Sequence, residues 1–180
     1  RGASPQKGDF ANYRDAFPEL ASRIGMYCSY CERHIVTQLA VEHIQPKGLP
    51  QYEALKGRWD NFLLGCVNCN STKGDTDVVL GDYLWPDRDD TFHALRYSVG
   101  GIVQSAAGAD QAKADALLRL VGLCKTPDTR EASDRRWDNR REAWDLAVRA
   151  KDRLSRCPND DMRDQIVEMA QAKGYWSVWM

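Results

Sequence analysis

Leu39-Ala40-Val41-Glu42-His43-Ile44-Gln45-Pro46-Lys47-Gly48, followed by Trp59-Asp60-Asn61-Phe62-Leu63-Leu64-Gly65-Cys66-Val67-Asn68-Cys69-Asn70-Ser71-Thr72-Lys73-Gly74-Asp75, is the stretch on which the fold turns. Gln38 to Ile44 reads as a short strand, which Pro46 to Pro50 breaks into a loop. Trp59-Asp60-Asn61 reads as a turn into a second strand, and Val67 to Lys73 as a short helix ended by Gly74. On that helix Cys66 and Cys69 share a face, while Asn70 and Lys73 form a second i, i+3 pair rotated from it by roughly 100°. One face can bind a metal while the next faces the hairpin. A carboxylate beside a histidine, opposite a helix carrying a polar oxygen, can hold a divalent cation and a general base side by side. Neighbours in a regular strand point to opposite faces, so Glu42 and His43 are expected to share one site only at a distorted strand end.

Outward from this stretch, four of the six cysteines fall into two tight pairs, Cys28-Ser-Tyr-Cys31 and Cys66-Val-Asn-Cys69. Each pair offers two thiolates from one turn or helix start, and two such knuckles complete a tetrahedral zinc shell. The competing readings are disulfides or a redox pair. A disulfide framework belongs to an oxidising compartment, and the sequence has no signal segment that points there. Cys124 and Cys157 have no cysteine or histidine at ligand spacing and read as ordinary thiols. The same applies to His34 and His93, which read as structural.

The 180 residues carry 25 Lys plus Arg against 26 Asp plus Glu, a formal charge of −1, with 43% hydrophobic residues. Mean hydropathy is −0.59. No apolar run approaches a membrane span or a signal-peptide core, so a soluble intracellular protein is expected. The balanced charge argues against a wholly basic nucleic-acid coat protein while leaving room for a local basic groove.

Three stretches follow from the pattern: residues 1–26, a flexible leader and a short helix with Phe10, Tyr13, Phe17 and Leu20 on one face; residues 27–75, the cysteine-rich core; and residues 76–180, an irregular segment and a helical region. A hairpin is expected over Leu95 to Val103, turning at Gly100-Gly101. Helices are expected over Asp110 to Cys124, Asp128 to Arg156 and Asp160 to Lys173. Arg135, Arg136, Arg140, Arg141, Arg149 and Arg153 alternate with Asp134, Asp138, Glu142 and Asp145, the pattern of a salt-bridged solvent face rather than a DNA-binding stripe.

With the cysteine pairs, Glu42-His43, Trp59-Asp60-Asn61 and Cys69-Asn70-x-x-Lys73 in register, residues 27–75 resemble an HNH endonuclease of the ββα-metal type bearing two zinc knuckles. The resemblance implies an α+β fold, a small zinc-stabilised core with flanking helical segments. It implies that His43 is the general base that activates water, that Glu42 and Asn70 hold the catalytic metal, and that Asn61 fixes the loop and orients His43. Glu42 stands where Asp is more familiar, and Asn70 where many members have His. The resulting all-oxygen ligand set suits Mg2+ or Mn2+, leaving zinc structural on Cys28, Cys31, Cys66 and Cys69. Lys73 or Lys47 is expected to contact a flanking phosphate. Read without the resemblance, Asn70 equally caps the helix, Asn61 forms a turn, and the two lysines are solvated.

The strings Ile24 to Arg33, Leu39 to Lys47, Asp82 to Asp89 and Gly174 to Met180 are similar to the HNH subunit of bacterial Septu and retron-associated anti-phage systems, the PtuB-like proteins. This implies a nucleic-acid substrate, DNA ahead of RNA, and an ABC-type ATPase partner of the PtuA-like kind. Tyr175, Trp176 and Trp179 then offer a docking surface, or else pack back on the protein itself. The alternative function is a zinc-knuckle module that binds nucleic acid or protein without catalysis.

Overall fold

The computed structural model describes residues 1–129 and 133–180. Its centre is a two-stranded antiparallel sheet, β1 (Leu39–His43) paired with β2 (Phe62–Cys66) in the register Leu39 to Cys66 through His43 to Phe62. The chain passes from β2 into α2 (Val67–Lys73) without a loop, because Cys66, extended at φ −77° and ψ 159°, serves as the helix cap and its sulfur accepts the Cys69 N–H. Gly74 ends the helix at φ +52°, where its amide bonds back to the Asn70 carbonyl. Strand, strand and helix thus follow the predicted order.

Before this unit, a single 3-10 turn at Tyr13–Ala16 leads into α1 (Phe17–Ile24), so the predicted helix is split where Pro18 sets the first turn. The first residues are not the free leader expected from their composition. The Arg1 guanidinium donates to the Phe62 carbonyl at 2.7 Å and pairs with Asp87 at 2.7 Å, and the Trp59 indole donates to the Gly2 carbonyl. After it come α3 (Thr91–Ala94), the hairpin β3 (Leu95–Ser98) and β4 (Ile102–Ser105), and then α4 (Gln111–Leu120). The hairpin turns through Val99–Gly101, as the glycine pair predicts.

Ala16, Leu20, Phe62, Leu64, Trp85, Leu117 and Val121 belong to one buried core, which joins α1, the sheet and α4. The module is therefore built into a larger core rather than hung on a linker. The long helix α5 (Arg136–Arg156) starts later than the predicted Asp128, because Thr126 and Thr129 close a turn on each other; residues 130–132 of that predicted helix lie outside the described residues. It is followed by α6 (Asp160–Lys173), whose N-cap Asn159 accepts the Met162 N–H, and by α7 (Trp176–Trp179). Among the described residues no helix is long and apolar enough to cross a membrane.

The arginine-rich helix departs from the solvated face its alternating charges suggest. Arg136 and Arg140 are each only 2% exposed. Arg136 forks onto Asp134, while Arg140 donates to the carbonyls of Gly101 and Leu123. A guanidinium has five donors and enters a core when carbonyls and carboxylates meet them. Only part of the pattern is a solvent face, as at the exposed Arg141, Glu142, Asp145, Arg149 and Arg153.

Candidate active site and four-cysteine centre

Cys28, Cys31, Cys66 and Cys69 are all buried and free, with their sulfurs within 4.8 Å of one another. The Cys31 and Cys66 sulfurs are 3.8 Å apart. Zn–S bonds of about 2.3 Å in a tetrahedron place sulfurs about 3.8 Å from each other, so the cluster has the size and the chemistry for zinc. A disulfide would require about 2 Å. The Cys66 and Cys69 amides donate to sulfur at 3.3 Å, and Arg136 donates to the Cys69 sulfur at 3.2 Å. Hydrogen bonds from the other three cysteines hold the Cys66 thiol far below its ordinary value, while burial raises Cys69 well above its own. Four sulfurs this close cannot all ionise without a cation, which zinc supplies.

A cavity of about 520 Å³ lies alongside this centre. Five successive β1 residues, Leu39 to His43, line it together with Asn70 and Lys73 of α2. Side chains from both faces of one strand border the same space only along the strand's edge, so the cavity follows the edge of β1 that β2 leaves free. This is how Glu42 and His43 reach one site without the strand distortion expected from sequence; both keep regular antiparallel partners, Leu63 and Phe62.

His43 is 6% exposed, and its ring meets its cross-strand partner Phe62 edge-on at 5.2 Å and Tyr13 at 4.7 Å. Its Nε2 lies 3.0 Å from the Lys56 carbonyl. A carbonyl can only accept, so Nε2 carries the proton and Nδ1 is the basic nitrogen. Burial lowers the His43 pKa below its ordinary value and keeps the ring neutral, with Lys47, Lys73 and Lys56 pushing the same way against the Lys56 carbonyl bond.

Asn61 is 4% exposed and holds the loop as the resemblance implies, although its contacts are with backbone rather than with the imidazole. Its Oδ1 accepts the Gln45 N–H at 2.8 Å, and its Nδ2 donates to the carbonyls of Gln45 and Leu55. The Asn61 amide and the His43 ring thus bond to consecutive carbonyls of the same loop, those of Leu55 and Lys56. Asn70 is exposed on the cavity wall.

Lys73 departs from the phosphate contact assigned to it. Its ammonium is buried 2.8 Å from the Glu42 Oε1 and 2.8 Å from the His43 carbonyl, with both side chains of the pair 1% exposed. Lys73 is thus the internal counter-ion of Glu42, whose Oε2 accepts the Tyr30 O–H at 2.7 Å. Burial pushes the Glu42 carboxyl above its ordinary range, against the pull of Lys73 and Tyr30. Lys47, in contrast, is exposed at the cavity and donates to the Tyr13 hydroxyl at 2.6 Å.

Glu42 and Asn70 both line the cavity and both adjoin Gly65. A Cβ there would stand 2.9 Å from the Glu42 Cβ and 3.7 Å from the Asn70 Cβ, so the two side chains flank the space its missing methyl leaves. A carboxylate and an amide oxygen are donors of the kind a hard divalent cation takes, and here both Glu42 oxygens are already met by Lys73 and Tyr30.

Sequence reasoning missed Tyr30, Arg136 and Tyr13. Tyr30 carried a signal, a polar-tipped aromatic between two metal-ligating cysteines. Tyr13 was absorbed into an apolar helix face, although its hydroxyl marks it as different. His34, bonded to the Ala172 carbonyl, and His93, paired with Asp90 at the surface, lie away from the site as expected.

The C-terminal tail packs back on the first knuckle. Tyr175 is 1% exposed, its amide bonds to the Glu32 carbonyl, and Ser177 donates twice to the Glu32 carboxylate. Of the three tail aromatics, Trp176 is the one left exposed, at 37%. No curated protein matches the chain. Residues 28–76, which hold both cysteine pairs, the sheet, α2 and most of the cavity wall, match the family model described as HNH endonuclease, a likeness that supports a metal-dependent, nuclease-like function.

Proposed function

We propose that the protein is an HNH endonuclease that hydrolyses phosphodiester bonds in nucleic acid, DNA ahead of RNA. The observation that carries this reading is the His43 imidazole, its proton held on Nε2 by a backbone carbonyl and its basic Nδ1 without a hydrogen-bond partner among the described residues, on the same cavity as Glu42 and Asn70. Nδ1 takes the proton of a water molecule as its oxygen attacks phosphorus, and the neutral ring is ready to do so at neutral pH. The Lys56 carbonyl then stabilises the imidazolium through the Nε2 proton. Asn61 keeps that carbonyl in place. Glu42 and Asn70 would hold Mg2+ or Mn2+, which supplies charge stabilisation for the pentacovalent state and the leaving oxygen. Lys47 faces a flanking phosphate. Zinc on the four cysteines supplies the rigidity that keeps β1, β2 and α2 in register.

A cleavage assay on duplex and single-stranded substrates in Mg2+ or Mn2+ tests this. The wild type is expected to cut and His43→Ala to lose at least a hundredfold in rate, within the range general-base catalysis supplies. No cutting by the wild type, with or without its partner, overturns it. A second reading is favoured by one observation: both Glu42 oxygens already have protein partners, Lys73 and Tyr30. In that reading the chain is a zinc-knuckle binding module without catalysis, and the same assay separates the two.

The cellular role rests on the resemblance of the flanking strings. In it, the protein is the PtuB-like nuclease of a bacterial cytoplasmic anti-phage complex, working with an ABC-type ATPase of the PtuA-like kind. Co-purification with the product of a neighbouring ATPase gene supports the role, and failure to co-purify overturns it.

A further inference from the structure

Two of the cationic side chains on the edge cavity have no carboxylate partner among the described residues. Lys47 reaches over the Tyr13 ring, 3.8 Å from its centroid, and donates to its hydroxyl at 2.6 Å. Arg14, exposed, lies 5.6 Å from the same centroid. Asp75 also lines the cavity, yet its carboxylate lies against Gly48 and pairs with neither cation. Two positive charges therefore lie against one tyrosine, where an anion would meet both. The Lys47 hydrogen bond lowers the Tyr13 phenol from its ordinary value, and Arg14 adds to that pull. The Tyr13 ring also touches the ring of His43. Tyr13 and Arg14 belong to the 3-10 turn before α1, outside the matched residues 28–76.

We propose that Arg14, Lys47 and the Tyr13 hydroxyl form an anion cradle that binds one backbone phosphate of the nucleic acid beside His43, so that the N-terminal turn supplies the contact which the buried Lys73 cannot. A phosphodiester fits because it accepts from all three donors and carries the one charge the cradle lacks. The cradle deepens the nuclease reading and rests on it for the identity of the anion.

The test measures binding of a short fluorescein-labelled DNA duplex over a KCl series, using the full zinc-loaded chain carrying His43→Ala so that the probe stays intact. Arg14→Gln and Lys47→Gln are each expected to weaken binding, and the double variant to reduce the slope of log K against log salt by about one, the contribution of the single phosphate the cradle neutralises. Arg23→Gln, on α1 but bonded to Glu19 and away from the cavity, is expected to leave the slope unchanged. The three glutamine substitutions lie at the surface, and retained zinc reports folding. An unchanged slope in the double variant, an equal loss in Arg23→Gln, or no binding by the parent overturns the cradle. Cutting by the wild type with an unchanged slope in the double variant overturns the cradle and spares the nuclease reading. A lost slope without any cutting does the reverse.

Discussion

His43 combines a fixed tautomer with a depressed pKa, and both follow from its position at the end of β1. A base acts in its neutral form, so a pKa held below the usual 6.5 keeps it competent at lower pH. The acid limb of kcat/KM is therefore expected to have its midpoint below 6.5, and a cation on Glu42 would push it the same way. Burial is the main cause and the Lys47 charge a lesser one, so Lys47→Gln should move the midpoint upward while His43→Ala abolishes the limb. A midpoint above 6.5 in the wild type would contradict the environment described. Lys73 shows where single-residue reading stops. Its spacing from Asn70 is visible in sequence, but which way that face of α2 turns depends on how tightly β1 and α2 pack. Lys73→Met leaves a buried carboxylate without its counter-ion and should cost about 3–5 kcal/mol in denaturant unfolding; adding Glu42→Met should recover most of it.

At the scale of the element, the β1–β2–α2 unit was legible because its signals are local: a proline-bounded apolar run, a turn, and a glycine stop. Strand and helix limits fall within a residue of the pattern at Leu39–His43, Val67–Lys73 and Asp160–Lys173. Less legible was the use of the free strand edge, which brings opposite faces of β1 to one cavity and is a property of the pairing. Gly65 leaves the room that the Glu42 side chain occupies. A methyl at that position would meet the Glu42 Cβ and Cγ at 2.9 and 3.0 Å, so Gly65→Ala must push Glu42 away from Lys73 and Tyr30. The expected cost is about 1–3 kcal/mol, seen as a lower denaturation midpoint, with weaker Mn2+ binding by calorimetry. Wild-type stability and Mn2+ affinity in Gly65→Ala would show that the strand has more room than its packing implies.

At the scale of the whole molecule, the zinc clasp joins segments that the sequence presents as separate. A net charge of −1 gives the protein no general attraction for nucleic acid, so the binding proposed for it rests on a local site. The C-terminal region was legible as helices but not as a partner of the zinc centre, because its alternating charges look like a solvated surface whether or not two of the arginines turn inward. Gly174, at φ +74°, lets the tail cross the first knuckle so closely that a Cβ would strike the Glu32 carbonyl. From the other side, Arg136 links the Cys69 sulfur to Asp134 and to the Val121 carbonyl, connecting the metal centre to the start of α5 and the end of α4. Four thiolates around one zinc carry an excess of two negative charges, which a buried guanidinium offsets through both charge and an N–H···S bond. Arg136→Met should therefore weaken zinc retention by about ten- to a hundredfold in competition with a chromogenic chelator. Arg140→Met, one turn further along α5, removes a guanidinium bonded to carbonyls rather than to a thiolate. It should loosen the helix without matching that loss of zinc. Equal zinc retention in the two variants would mean that Arg136 serves packing alone, whereas loss confined to Arg136→Met would make the C-terminal helix part of the metal centre it covers.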